Sequence, residues 1–376
     1  MRSGVLAGKE VKNSGRPNQG GGTMNIFCIR PSTRNIGNDL IGMAIDLIVR
    51  DTIRADINFI NVPALKGAQF GGLTSKQVHD INRIGDGVII GGGNLFENGQ
   101  LTVDGQALAA LRVPMAIIGV SHGRIYDRAG VEFVDRTDAM PPAVIRQLVE
   151  KACVTLVRDG ASRDALTKMG LAGVKLGGCP TMCLPAPNPK PVSDGSILVS
   201  IRHPGRMSVP PHYQWRVFDD LRRMLIALEA KYGRKAKLVC HDYNDLEFAS
   251  AFAGVPFIYF DNVFKYVEAL QQCEISVTYR LHAFLPCLAF GIPSVNISYD
   301  GRCKAMMTTA GMSSWDIDMF GAGDLVDTVM ARCAQVDEYY RLRGSVQAGH
   351  AKLKDVLVGG ISEFGERVRS HNVSRG

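Results

Sequence analysis

Short apolar strands recur along almost the whole of this chain, each followed by a helical pattern, and that alternation leaves few architectures open. Strands are expected at 24–30, 55–62, 87–90, 114–120, 153–157 and 174–177, with helical patterns at 39–50, 75–83, 104–111, 142–151 and 160–169. Such an order implies a parallel sheet covered on both faces by helices. A second alternation follows, with strands at 196–201, 236–241, 256–260, 274–278 and 294–298 and helices near 214–232, 244–253, 263–272, 281–290 and 303–310. Between the two lies LPAPNPKPVSDG at 184–195, with four prolines in twelve residues, which reads as a semi-rigid linker. Residues 322–370 read as mostly helical, a stretch able to fold back across the domains.

At 376 residues the chain exceeds one ordinary core, so two domains are expected. The predicted fold class is α/β, with two Rossmann-like domains at 24–183 and 196–320. A leader at 1–23 precedes them, rich in Gly, Asn, Lys and Arg and without the apolar core of a signal peptide, and a helical segment at 321–376 follows.

The residues at the strand ends carry the functional signal, because open α/β sheets bind ligands outside the carboxyl ends of their strands. Glu274–Thr278 runs into Arg280-Leu281-His282-Ala283, and Ser294–Ser298 ends in Tyr299-Asp300-Gly301-Arg302. Val154–Val157 leads to Arg158-Asp159 and Ser162, Ile197–Ile201 to Arg202-His203, and Lys237–Cys240 to His241-Asp242 with Asp245 one turn on. Gly87–Ile90 ends in Gly91-Gly92-Gly93-Asn94. The two adjacent strand ends at Arg280–His282 and Tyr299–Arg302 make a cationic pocket suited to a small anion, and the other strand ends repeat the arrangement. Each also has a plainer reading. Arg280 can pair with a carboxylate, His282 can be a satisfied core histidine, and Asp159, Ser162 or Asp242 can cap a helix. The glycines can form a tight turn, or can let backbone amides approach a ligand.

Composition narrows the class. Hydrophobic residues make up 46% and charged residues 21%, ordinary for a soluble enzyme. The net charge of +7 includes Arg2, Lys9, Lys12 and Arg16 against Glu10, leaving a mildly basic body that does not resemble a nucleic-acid-binding protein. Its field suits phosphorylated substrates, or a loose peripheral association with an anionic membrane. No window has the uncharged apolar length needed to cross a bilayer. The nine cysteines, mostly in apolar segments, suggest reduced thiols and a cytoplasmic protein, with the inner membrane face as a compatible location. Cys179 and Cys183 have no matching second pair, so no metal site is expected.

The motifs Asn35-Ile36-Gly37, Gly85-Asp86-Gly87-Val88-Ile89-Ile90-Gly91-Gly92-Gly93, Val157-Arg158-Asp159 with Ser162, Val199-Ser200-Ile201-Arg202, His241-Asp242 with Asp245, Arg280-Leu281-His282-Ala283 and Tyr299-Asp300 together resemble the polysaccharide pyruvyl transferase family. The likeness runs from Met24 to Gly311. It implies two sheets facing across a cleft in a glycosyltransferase-B-like fold. It also implies transfer of the enolpyruvyl group of phosphoenolpyruvate onto hydroxyls of a sugar or lipid-linked saccharide acceptor, closing a ketal. On that reading Arg158, Arg280 and Arg302 bind the donor's carboxylate and phosphate, and His282 is the general acid. Asn38, Gly91, Gly92, Gly93, Asn94, Arg202, His241 and Tyr299 complete the substrate site. The chemistry needs no metal and no other cofactor.

Two positions depart from the family pattern. Asn38 stands where a carboxylate is usual, so Asp39 takes the role of acceptor-side base or the carboxylate comes from elsewhere. Arg302 stands where Lys is common, with Lys304 two positions on, which keeps a cation but changes its geometry. The alternatives are a glycosyltransferase of the same form using a nucleotide-sugar donor, or a non-catalytic sugar- or phosphate-binding relative. Oligomeric state is not legible in the sequence.

Overall fold

The computed structural model describes residues 23–31, 34–67, 70–321 and 323–374. The leader expected at 1–23 lies outside them except for Thr23. Two six-stranded sheets dominate the chain. The first contains β1 (Met24–Arg30), β2 (Ile57–Pro63), β3 (Gly87–Gly93) and β4 (Met115–Val120). A hairpin, β5 (Arg124–Tyr126) with β6 (Phe133–Asp135), interrupts it before β7 (Val154–Val157) and β8 (Lys175–Leu176). The second sheet contains β9 (Ile197–Ser200), β10 (Lys237–Cys240), β11 (Phe257–Tyr259), β12 (Ile275–Thr278), β13 (Ser294–Ser298) and β14 (Asp316–Asp318).

The sheet orders are β2-β1-β3-β4-β7-β8 and β11-β10-β9-β12-β13-β14, and every pairing within them is parallel. Both orders reverse direction once, between β1 and β3 in the first sheet and between β9 and β12 in the second. Crevices open at such points, because the connections on either side leave in opposite directions. These two places position the site.

The inner strands β3, β4 and β7 of the first sheet are buried along their whole length and are accordingly almost wholly apolar. Ile26 and Cys28 of β1 face the helix Ile36–Ile53, while Phe27 and Ile29 face the opposite helical layer. The long helix Val336–Val373 returns to this half, placing Leu357, Ile361, Phe364 and Val368 in the same core layer as Ile26 and Ile118. The helix Ile36–Ile53 makes contacts on more than one side. Ile41, Ile45 and Val49 pack on the first sheet, whereas Ile36, Leu40 and Ala44 join Tyr266, Cys287 and Phe290 of the second half. A helix clasped from several sides must be apolar over most of its surface, and this one packs the two halves together.

Three elements differ from the sequence expectation. β3 extends through the glycines to Gly93 because Gly91 and Gly93 continue to pair with Ile118 and Val120 of β4. The hairpin β5–β6 and the edge strand β14 were not expected, being three residues long and without a readable period. Among the described residues no helix is long and apolar enough to cross a membrane.

Candidate functional site

The two crevices open into one cavity of about 930 Å³, lined from both halves. Asn35, Asn38, Gly93, Asn94 and Arg158 line it from the first half; Arg202, His241, Arg280, His282, Tyr299 and Arg302 line it from the second. Ten of the predicted site residues are thus brought together. Gly91, Gly92 and Asp39 are not.

The glycines show why. A Cβ on Gly91 would lie 2.9 Å from Ile45 Cδ1, and one on Gly92 would lie 2.4 Å from Ile41 Cγ2, with φ at +82°. These two glycines let the helix Ile36–Ile53 press against β3, which is a packing role, and only Gly93 reaches the cavity. Asp39 follows from helical geometry. Asn35 caps the helix by accepting from Gly37 N at 3.0 Å, and Asn38 faces the cavity. The next residue is turned about 100° around the axis. Asp39 therefore lines a neighbouring cavity of about 730 Å³ with Arg30 and Asp46, which Asn38 borders as well, and does not line the main one.

The helix start also reaches the second half. Ile36 N donates to His241 O at 3.1 Å, and a Cβ on Gly37 would lie 3.1 Å from His282 Cβ. Glycine at 37 is what permits this approach.

Arg280 follows the plainer reading to a large degree. Its Nε donates to Ile201 O at 2.8 Å, and its Nη2 donates to Asp242 Oδ2 at 3.2 Å and to Asp245 Oδ2. Asp245 is fully buried and also accepts from His203 N and His241 N, each at 2.9 Å. Asp242 caps the helix Tyr243–Ser250 in a capping box with Asp245. Arg302 is held similarly. Its Nε donates to Asp300 Oδ2 at 2.9 Å, and its Nη1 crosses to Glu97 Oε2 of the first half at 3.2 Å. Glu97 has a fully buried side chain. Lys304 turns away to Asp318 and the rings of Tyr126 and Phe133.

Arg158 is less committed. Its side chain is buried, yet its Nε has no hydrogen bond among the described residues and stands 3.7 Å from Asp159 Oδ2. Asp159 does cap its helix, accepting from Ser162 N at 2.8 Å. Arg202 spends its Nε on Arg206 O at 2.7 Å. Burial, then the like charges of Arg280 and Arg302, lower its pKa against the opposing pull of Tyr299. Burial raises that of Tyr299, with Arg202 opposing.

His282 sits among these cations. Pro286, inside the helix Leu281–Phe290, has no N–H to give to the His282 carbonyl four residues back. Tyr266 Oη fills that vacancy, donating to His282 O at 3.0 Å, and stands 3.3 Å from His241 Nε2. A hydroxyl that donates there has only its lone pairs left for His241, which places the His241 proton on Nε2. The imidazole of His282 has no such partner: its Nε2 is buried and makes no hydrogen bond among the described residues. Burial, and then the charges of Arg158, Arg280 and Arg302, push its pKa down to about 3. Burial and the cations Arg280 and Arg202, with His282, likewise hold His241 well below its ordinary range. Both are neutral imidazoles in the free protein near pH 7.

Sequence reasoning missed Glu97 and the stretch Arg136–Asp138. Glu97 was legible as the one charge in an apolar run, Leu95-Phe96-Glu97, directly after the glycines. Arg136 and Asp138 lie beyond the unexpected hairpin and carried no readable signal. Among the described residues no group of three or more His, Cys, Asp or Glu is arranged to hold a metal ion.

Comparison with known proteins agrees with this layout. The solved structures similar to the chain include a UDP-N-acetylglucosamine 2-epimerase from Rickettsia bellii, at 13% identity and TM-score 0.53, covering 93% of this chain and 96% of that one. Another is the UDP-GlcNAc 2-epimerase of Methanocaldococcus jannaschii in complex with UDP-GlcNAc and UDP, at 10% identity and TM-score 0.52, covering 94% and 100%. The Neisseria meningitidis UDP-GlcNAc 2-epimerase is similar at 11% identity and TM-score 0.51, covering 94% and 99%. At such identities the likeness speaks to the fold, two Rossmann-like halves of the glycosyltransferase-B type. No curated protein matches the chain. The profile of the polysaccharide pyruvyl transferase family matches residues 35–301, from the cap of the first helix to the start of the helix that carries Arg302, and the chain belongs to that family of transferases.

Proposed function

We propose that the protein moves the enolpyruvyl group of phosphoenolpyruvate onto hydroxyls of a saccharide in cell-surface polysaccharide synthesis, forming a pyruvate ketal. The observation that carries this reading is the unpartnered Nε2 of His282, set among Arg158, Arg280 and Arg302 in a cavity between the two sheets. A small dianion with a carboxylate is the kind of ligand such a centre attracts. Arg158 and Arg202 retain the most capacity for it, while Arg280 and Arg302 supply a field already braced by buried carboxylates.

A neutral His282 is no acid. Negative charge from the donor would offset the three arginines and restore its proton, so that donor binding arms the site. The proton passes from Nε2 to the methylene carbon, leaving an oxocarbenium-like centre. An acceptor hydroxyl attacks it, and the bond to the phosphate oxygen then breaks with its electron pair. The hydroxyl's proton leaves with the phosphate. Attack by a second hydroxyl closes the ketal, its proton returning to Nε2 of His282. This scheme places no base at Asp39.

The test is phosphate release from phosphoenolpyruvate in the presence of a panel of nucleotide-linked and lipid-linked sugars, with product masses and with donor binding measured by calorimetry in chelator. His282→Gln is expected to retain donor binding and lose about 100-fold or more in turnover. Nucleoside diphosphate release without use of phosphoenolpyruvate would overturn the reading in favour of a glycosyltransferase. Near-full turnover in His282→Gln would remove its catalytic role.

A further inference from the structure

The cavity has a second wall of different chemistry, made by Asn94, Asn98, Gln100, Arg136 and Asp138 of the first half. At its centre is Arg136, whose side chain is 5% exposed. Arg136 Nε donates to Asp138 Oδ1 at 2.7 Å, and Nη2 donates to Asp138 Oδ2 at 2.8 Å and to Asn98 Oδ1. Its Nη1 is buried without a hydrogen-bond partner among the described residues. A buried guanidinium nitrogen left unmade costs free energy comparable to a lost hydrogen bond, and bound ligand groups are one way to recover it.

The charge on this wall is already balanced. Asp138 is half exposed beside Arg136, and the guanidinium holds its carboxyl below the ordinary range. A second anion would meet that carboxylate and find the cation neutralised. A hydroxyl is better matched, since it both donates and accepts. Arg136 Nη1 offers hydrogens, Asp138 offers lone pairs, and the carboxamides of Asn94, Asn98 and Gln100 on the same wall offer both. The wall also adjoins the cationic centre along the chain. Glu97 accepts from Arg302, and its neighbour Asn98 accepts from Arg136.

We infer that Arg136 is a specificity-determining residue for the acceptor, donating from Nη1 to an uncharged pyranose whose hydroxyls are read by Asp138, Asn98 and Gln100. The inference rests on the reading of the opposite wall as the donor site. It adds that the sugar unit receiving the group is neutral, with any phosphate of its carrier lying elsewhere.

The experiment uses the full chain and the p-nitrophenyl glycosides of galactose, glucose, mannose and N-acetylglucosamine. Glycoside binding is read by saturation-transfer NMR, and phosphoenolpyruvate affinity by calorimetry on the same samples. The parent protein is expected to bind at least one glycoside. Arg136→Lys keeps a cation opposite Asp138 but loses the planar second amino group, and should weaken that binding by about tenfold or more while donor affinity stays within about twofold. Gln100→Ala leaves the Arg136–Asp138 pair in place and should weaken glycoside binding about threefold, which keeps the test available if the lysine variant does not fold. The inference is overturned if no glycoside binds the parent, if both variants bind like the parent, or if donor affinity falls in step with glycoside affinity. Glycoside binding that depends on Arg136 in a protein blind to phosphoenolpyruvate would break the donor reading instead.

Discussion

Arg280 and Arg302 of the second sheet and Arg158 of the first meet the same cavity prepared in opposite ways. On the second sheet, Arg280 and Arg302 are wired to Asp242, Asp245, Asp300 and Glu97, so that each buried charge has buried carboxylates against it. On the first sheet, Arg158 is as deeply buried but has only a long contact with Asp159, with Nε and Asp159 Oδ2 both lacking a hydrogen bond among the described residues. A buried charge without good partners is costly, and one with several is rigid. In the proposed function, the first kind is the one a ligand completes and the second builds the surface beneath it.

That contrast can be broken most directly at Asp245. It is fully buried and accepts from Arg280, His203 N and His241 N. Asp245→Asn leaves Arg280 short of a counter-charge and turns an amide N–H₂ toward existing donors. A loss of about 3–5 kcal/mol in unfolding free energy is expected by denaturant titration, and an intact melting transition would show that the Arg280 network is not a scaffold.

Arg158 should behave conversely. Arg158→Ala is expected to weaken phosphoenolpyruvate binding by about 1.5–3 kcal/mol in calorimetry with little change in melting temperature. Unchanged donor affinity combined with lost stability would place Arg158 with the scaffold arginines and erase the difference between the sheets.

The smallest effect sharpens the comparison through pH. His282 has a folded pKa of about 3, below its unfolded value of about 6.5, so the fold prefers the neutral ring. Its contribution to stability is complete above about pH 6.5 and is lost as the pH falls from there toward about 3. Between about pH 7.5 and 5.5 the loss is about 1 kcal/mol, and His241, depressed in the same sense, adds to it. Melting curves of the free protein should therefore fall over this range. His282→Gln should reduce the slope without abolishing it, and saturating phosphoenolpyruvate should flatten it in the parent. A slope untouched by either would mean that burial among Arg158, Arg280 and Arg302 does not set the charge state of His282.

Much of the architecture was legible in the chain because it is local. The apolar runs at β1, β3, β12 and β13, and the helices at 142–151, 263–272 and 281–290, follow from periodicity and from the residues that stop them. The convergence of Arg158, His241, Arg280, His282, Tyr299 and Arg302 on one cavity was legible too, since parallel strands deliver their carboxyl ends to the same edge. The roles of Gly91 and Gly92 were not. Whether a glycine meets a ligand or a helix depends on what lies above it, and here that is Ile45 and Ile41. Asp39 lies off the main cavity for a related reason, since one residue of helical rotation carries its side chain to a neighbouring cavity that Asn38 also borders.

By itself, then, the sequence determined the alternating α/β form, the strand ends that carry charge and the family to which the chain belongs. Tertiary structure alone decided which of those charges are spent. Glu97 reaches Arg302 across 205 positions of chain, and Arg136 returns from the hairpin to Asn98 on the opposite side of Glu97 from the strand glycines. Pairing of buried charges is a matter of ångströms between segments distant in sequence, and local pattern carries no information about such distances.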